Sequence, residues 1–232
     1  FFVTAALALA VGCAGPKTQP DQPTVSEQLP AIETLVTTEW LSQHLDDPDL
    51  VGLDCPVRLD MDEAGGFSPP RGWEDNEGGP IPAAGFADLM NDLSGGESPL
   101  KFAVPTPEQF CAAMGALGVG EDSRVVLYDA SGSGWAARVW WMLRWVGFDR
   151  AAVLDGGLGA WTAEGRPLST EPADEPARVL TPAPRPELIA DRDEVFTAIG
   201  DASVTLIDAL PEPHYPGRTT IYARPRHRSD RP

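Results

Sequence analysis

The sequence is poor in positive charge. Its 232 residues carry 17 Lys and Arg against 35 Asp and Glu, which gives a formal net charge of −18. A nucleic-acid-binding domain needs a basic surface, so this balance excludes nucleic acid as an expected partner. The same charge repels anions at long range, and an anion site must therefore be built locally from arginine and backbone N–H groups. The residues present predict no metal and no cofactor.

Long apolar runs are also missing, and the first residues form only a short one. Residues 1–13 are apolar and end in small residues, a run too short to span a bilayer but typical of the end of a secretory signal peptide. Ala10-Val11-Gly12-Cys13 resembles a bacterial lipoprotein box, in which Cys13 carries the lipid; a plain leader is the alternative. We expect residues 14–34 to be a flexible tether. The protein would then be lipid-anchored to a bacterial membrane, in the cell envelope, facing the periplasm or the exterior.

Cysteine is scarce, with three in the chain. Cys111 lies in a helical pattern among alanine and methionine, which favours a packed core thiol. Cys55 follows an apolar strand, where a site is possible, although a structural thiol is favoured. Whether Cys55 and Cys111 pair stays open.

Strand and helix patterns alternate over residues 35–168, which predicts an α/β domain with a central parallel sheet and helices on both faces. Thr106-Pro107-Glu108-Gln109 is a clear helix start, with a cap, a proline and a glutamine in their preferred places. The predicted helices span 37–45, 107–117, 135–146 and 158–164, and the predicted strands span 50–53, 124–128 and 151–154.

A proline-rich stretch, residues 169–188, is predicted to be an interdomain linker. The opening pattern then returns, with a capped helix over 191–200 and an apolar run over 203–208 that predicts a strand ending in Asp208. Residues 189–232 are therefore predicted to be the truncated start of a second copy of the domain. A truncated or frame-shifted gene is one explanation for the basic tail that follows.

A loop of small residues follows the strand at 124–128. It begins at Asp129, continues through Ser131, Gly132, Ser133 and Gly134, and leads into a helix. Free N–H groups at such a helix start converge and favour an anion. The stretch resembles the rhodanese (sulfurtransferase) family, in which this loop starts with a reactive cysteine.

Two further motifs carry the resemblance. Residues 154–161, Leu-Asp-Gly-Gly-Leu-Gly-Ala-Trp, are specific to it, and residues 79–84 resemble the family's Gly-His-Ile-Pro-Gly-Ala signature, with Pro80 where histidine is usual. The likeness is to two-domain thiosulfate and 3-mercaptopyruvate sulfurtransferases, whose first domain lacks the nucleophile. It implies an incomplete second copy, thiosulfate- or 3-mercaptopyruvate-like anions as ligands, and no catalytic residue in this chain. The inactive-loop equivalents are Asp129, Ser131, Gly132, Ser133 and Gly134.

Two functions follow from the resemblance. The first is a sulfurtransferase by family, which moves sulfane sulfur to a thiol or cyanide, with this chain inactive alone. The alternative is a non-catalytic, envelope-anchored rhodanese module that binds an anion or a protein partner. A phosphatase, which has a related loop, needs a longer Cys-x5-Arg loop that is absent.

Overall fold

The computed structural model describes residues 32–57, 78–96, 102–170, 173 and 175–209. The predicted signal-peptide remnant with Cys13, nearly all of the predicted tether and the basic tail lie outside these residues. No helix in the described part of the chain is long and apolar enough to cross a bilayer.

The centre of the fold is a five-stranded, fully parallel sheet. Its order is β1-β5-β4-β2-β3, and the strands are β1 (Leu35–Val36), β2 (Leu50–Asp54), β3 (Ala84–Phe86), β4 (Arg124–Tyr128) and β5 (Ala151–Leu154). Among the described residues, five α-helices accompany them: α1 (Thr38–His44), α2 (Pro107–Ala116), α3 (Gly134–Trp145), α4 (Gly157–Ala163) and α5 (Arg192–Ala198). A 3₁₀ turn forms at Pro186–Leu188.

The two faces of the sheet are buried by different helices. Val125 and Leu127 of β4 pack in one core with residues of α2 and α3. Val126 and Tyr128 of the same strand pack in a second core with residues of α1 and α4. Side chains alternate along a strand and both faces of this sheet are covered, so the four residues that follow Arg124 in β4 are apolar, and all five positions of the strand are buried. The predicted α/β fold, with helices on both faces of a parallel sheet, is confirmed.

Capping explains where the predicted helices start. Thr106 and Gln109 form a complete capping box at α2, and the Thr37 hydroxyl accepts a hydrogen bond from the Trp40 N–H at α1. Asp191 and Glu194 form a second capping box at α5, as the returning pattern predicts.

The structure differs from the sequence-based prediction at three places: two short strands were not predicted, and one predicted strand does not form. β1 and β3 contain two and three residues, too few to show an alternating pattern in the sequence. The predicted strand over 203–208 is wrong: these residues are exposed and form no ladder. A strand needs a neighbour for its N–H and C=O groups, and the described sheet is built wholly from residues before 155. Ser203 donates from its N–H and hydroxyl to Asp201, so turn chemistry competes there.

The predicted linker lies against the domain for much of its length. The Ser169 N–H donates to the Pro80 carbonyl, the Ala173 N–H donates to the Ala84 carbonyl, and Leu180 is buried. Its role between two domains stays a prediction.

Candidate functional site

The candidate site lies at the carboxyl edge of the sheet, where β4 turns into α3. Because all strands are parallel, the residues that follow β2, β4 and β5 meet at this edge. The loop turns sharply through Gly132 and Ser133, which both have positive φ, of 89° and 67°. Ser133 is the residue before α3, but its side chain makes no cap.

Asp129 makes the cap in its place. Its Oδ1 accepts hydrogen bonds from the N–H groups of Ser131 (2.6 Å) and Ser133 (2.9 Å). Its Oδ2 accepts from Trp135 (3.0 Å) and Ala136 (2.9 Å). Only 1% of Asp129 is exposed. The converging donors expected from the sequence are present, and the carboxylate of the loop's own first residue occupies them.

The glycine-rich motif after β5 closes over Asp129 from the other side. The Leu158 N–H donates to the Asp129 carbonyl at 3.1 Å. Gly157 has a φ of 56°, and a Cβ at this position would lie 2.5 Å from the same carbonyl oxygen. Only glycine fits such a contact, which explains why this motif accompanies the loop.

The second motif, residues 79–84, reaches the site strand through Tyr128. The buried Tyr128 hydroxyl accepts a hydrogen bond from the Ile81 N–H at 3.0 Å. Pro80 is buried, and Ala83 holds a φ of 61° where the family signature has glycine. The motif therefore sets the entry into β3 beside the site, and it places an alanine in a conformation that favours glycine.

Neither described cysteine lies in the loop. Cys55, which follows β2, is fully buried, and its pKa is raised well above the usual value by burial and by the nearby Asp54 and Asp129 carboxylates. Cys111 is buried in α2, where burial raises its pKa to about 11. Both thiols are free, so they do not pair. The prediction of packed, structural thiols agrees with these positions.

Arg138, on α3, lies close in sequence to the loop, and the sequence patterns did not predict a role for it. Arg138 donates from Nη2 to the Phe102 carbonyl, and burial lowers its pKa. The Phe102 ring lies 5.1 Å from that of Trp135, which follows the loop. The Nη2 hydrogen bond joins α3 to residues before α2, whereas the buried Nε of Arg138 has no hydrogen-bond partner.

A histidine of α1 and three tryptophans of α3 also have structural surroundings. His44 stacks on Trp40, with ring centroids 4.0 Å apart. Trp140 and Trp141 donate from their indole N–H groups to backbone carbonyls, and Trp145 is buried. Within the described ranges, no group of three or more His, Cys, Asp or Glu residues could hold a metal ion.

Comparison with known proteins decides the family. The model of the rhodanese-like domain matches residues 37–164, more than half of the chain. The chain belongs to the rhodanese family. It is 35% identical over 191 residues to a probable 3-mercaptopyruvate sulfurtransferase of Pseudomonas aeruginosa, covering 79% of this chain and 63% of the relative. It is 32% identical over 176 residues to the 3-mercaptopyruvate sulfurtransferase of Escherichia coli K12, covering 76% of this chain and 60% of the relative.

Solved structures agree with this rhodanese assignment. The crystal structure of the 3-mercaptopyruvate sulfotransferase SseA from Escherichia coli matches with a TM-score of 0.68 and 31% identity, covering 79% of this chain and 68% of that one. The chain thus spans 60–63% of the length of these two curated relatives.

Proposed function

We propose that this rhodanese chain serves sulfur transfer, with the domain described here acting as a scaffold that does not carry the sulfur. The observation that carries the proposal is the Asp129 carboxylate, which accepts hydrogen bonds from four backbone N–H groups, two in the loop and two at the start of α3. In catalytic rhodanese domains, the corresponding loop begins with the nucleophilic cysteine. Here the same position holds a buried carboxylate.

The chemistry needs a thiolate at the start of a loop of this kind. In transfer from thiosulfate, a thiolate attacks the outer, sulfane sulfur, a new S–S bond forms, and sulfite leaves with the electron pair of the broken S–S bond. Acceptor cyanide then takes the sulfane sulfur and regenerates the thiolate. A carboxylate oxygen cannot carry sulfane sulfur in this way, and the Asp129 charge opposes an incoming anion at close range.

The two described thiols cannot replace the missing nucleophile. Sulfur transfer requires an accessible thiolate, which convergent N–H groups stabilise. Cys55 has no exposed surface, and 2% of Cys111 is exposed. The raised pKa of each keeps both protonated near neutral pH.

The alternative of an anion-binding module is less well supported by this geometry. An external anion would have to displace Asp129 from four donors that its own chain holds in place, and an intramolecular occupant has the advantage of high effective concentration. As sulfur donor for the protein's reaction we propose thiosulfate or 3-mercaptopyruvate, the compounds in the names of its relatives.

The experiment follows product formation by the purified chain. We expect thiocyanate from thiosulfate plus cyanide, and pyruvate from 3-mercaptopyruvate, to stay at the no-protein background. The 3-mercaptopyruvate sulfurtransferase of Escherichia coli is the positive control, and Cys55→Ser and Cys111→Ser are assayed in parallel. Clear wild-type turnover that either substitution abolishes would place the nucleophile on that cysteine and overturn the proposal.

We also propose that the chain is held in a bacterial cell envelope by lipid on Cys13. The proposal rests on the lipobox-like residues 10–13 and the short apolar run before them.

A further inference from the structure

We propose that residues 175–188, here called the clamp segment, are an integral part of the rhodanese domain and hold the C-terminal ends of α2 and α3 together. The family model ends at residue 164, so the segment lies beyond the matched domain. The inference does not depend on the proposed function.

The clamp segment first crosses the end of α2. The Arg178 N–H donates to the Gly115 carbonyl at 2.9 Å, and the Arg178 guanidinium donates from Nη2 to the Pro48 carbonyl. The Thr181 N–H donates to Glu121 Oε1 at 2.8 Å, in the turn that follows α2. Leu180, between these contacts, is 7% exposed and belongs to the core that α2 and α3 share.

The segment then covers the end of α3. The last carbonyls of a helix have no partner within it. Here the Val146 carbonyl accepts from the Ala183 N–H at 2.8 Å, and the Trp145 carbonyl accepts from the Arg185 N–H at 2.7 Å. The Arg185 guanidinium also pairs with both carboxylate oxygens of Asp149, at 2.7 and 2.5 Å.

The proline pattern suits this role. Pro182, Pro184 and Pro186 alternate with Ala183 and Arg185. Proline has no N–H and holds an extended backbone, so the residues between the prolines carry the donors and are already arranged in line. An extended, pre-ordered segment loses less conformational entropy on docking than a flexible linker does.

The clamp segment passes very close to Gly115 of α2, and this contact is the easiest one to test by substitution. A Cβ at this helical position would lie 2.5 Å from the Arg178 carbonyl oxygen, and the next two nearest atoms, in Arg178 and Leu180, also belong to the clamp segment. Gly159, in α4, is also helical, and a Cβ there would have no heavy atom within 4 Å. The two glycines therefore differ in whether the clamp segment lies above them.

The first test compares Gly115→Ala with Gly159→Ala in the full chain. Alanine is the better helix former, so Gly159→Ala should keep or raise Tm. Gly115→Ala should lower Tm by about 5 °C, because the clamp segment must move away. Trypsin should cut the Arg178–Val179 bond at least about tenfold faster in Gly115→Ala than in the wild type or Gly159→Ala. Equal Tm values and equal cleavage rates in the two variants would overturn the proposal.

Hydrogen exchange of the wild type gives a test that needs no variant. The amides of Arg178, Ala183 and Arg185 should exchange at least about 100-fold more slowly, relative to their unfolded rates, than those of the exposed residues 205–207. Exchange at the same relative rate in both groups would show that the segment is not held and would overturn the proposal.

A held clamp segment has a consequence for the site. α3 starts with N–H groups bonded to Asp129 and ends with carbonyls bonded to the clamp segment. The helix that follows the candidate loop is therefore fixed at both ends.

Discussion

At the scale of single residues, the Asp129 carboxylate takes the place that a bound anion would have in such a loop. The Asp129→Ala variant leaves four N–H groups without their partner, and water can satisfy only part of them. We expect the free energy of unfolding to fall by about 2 kcal/mol. Urea unfolding measures it, with Asp155→Ala as the control, because Asp155 is an exposed aspartate at the end of the neighbouring strand.

The same variant should respond to added sulfate. Sulfate stabilises folded proteins generally, so the gain must be compared at equal concentration with the wild type and with Asp155→Ala. We expect a larger gain for Asp129→Ala, because an oxyanion can take up the vacated N–H groups. An equal gain in all three proteins, or a loss of stability below about 0.5 kcal/mol, would show that the carboxylate does not hold the loop.

Ala83 offers a second prediction at this scale. Its φ of 61° costs an L-residue with a Cβ roughly 1–2 kcal/mol, and glycine avoids that cost but loses about 0.5–1 kcal/mol through its freer unfolded chain. We therefore expect Ala83→Gly to raise the free energy of unfolding by about 0.5 kcal/mol. Ala137→Gly, at an exposed position within α3, should lower it by about 1 kcal/mol. Parallel destabilisation of both variants would contradict the argument.

At the scale of elements, an ion cluster joins the start of β4 to the turn before β2. Arg124 donates to Asp49 from Nε at 2.7 Å and to Asp47 from Nη2 at 2.6 Å, and its own surface is 7% exposed. The hydrogen bond from Arg124 lowers the pKa of Asp49 below its usual 3.8. A carboxyl whose pKa is lower when folded stabilises the protein above its unfolded pKa. That contribution is lost as the pH falls through the folded value.

Stability should therefore decline as the pH falls from about 4, and Arg124→Met should decline less steeply over the same range. Urea unfolding at pH 7, 4 and 3 measures both slopes. Arg192→Met is the matched control, because Arg192 pairs with Asp193 on the exposed α5. If the Arg124→Met curve runs parallel to that of the wild type, the cluster does not contribute to acid sensitivity.

The helices and strands also show which parts of the fold can be predicted from the sequence alone. The helix starts at α1, α2 and α5 are predictable because their caps are local, within three residues of each start. β1 and β3 are not, because a strand of two or three residues exists only through its neighbour. The apolar run at 203–208 is the reverse case: its composition suits a strand, and no neighbouring strand meets it in the described part of the chain.

At the scale of the whole molecule, the proposed lipid anchor can be tested by metabolic labelling with a fatty acid in a bacterial host. We expect label on the wild type and none on Cys13→Ser, because the acyl chains attach through that cysteine. Two or more chains hold a protein stably, since each buried methylene contributes about 0.8 kcal/mol. Cys55→Ser is the matched control and should keep the label. Equal labelling of the wild type and Cys13→Ser would end the proposal.

What the sequence determined by itself is the α/β class, the parallel central strands, most helix starts and the position of Asp129 at the head of a small-residue loop. These depend on local patterns: continuous apolar runs, caps within one turn, and glycine motifs. Tertiary structure alone decided what the loop holds. Four N–H groups converge on Asp129 because Gly132 and Ser133 turn the backbone and α4 closes over the carbonyl. Tertiary structure also decided the position of the proline-rich segment, whose composition is that of a linker. The segment lies along the ends of two helices, because its hydrogen-bond partners are carbonyls more than 30 residues away in the chain.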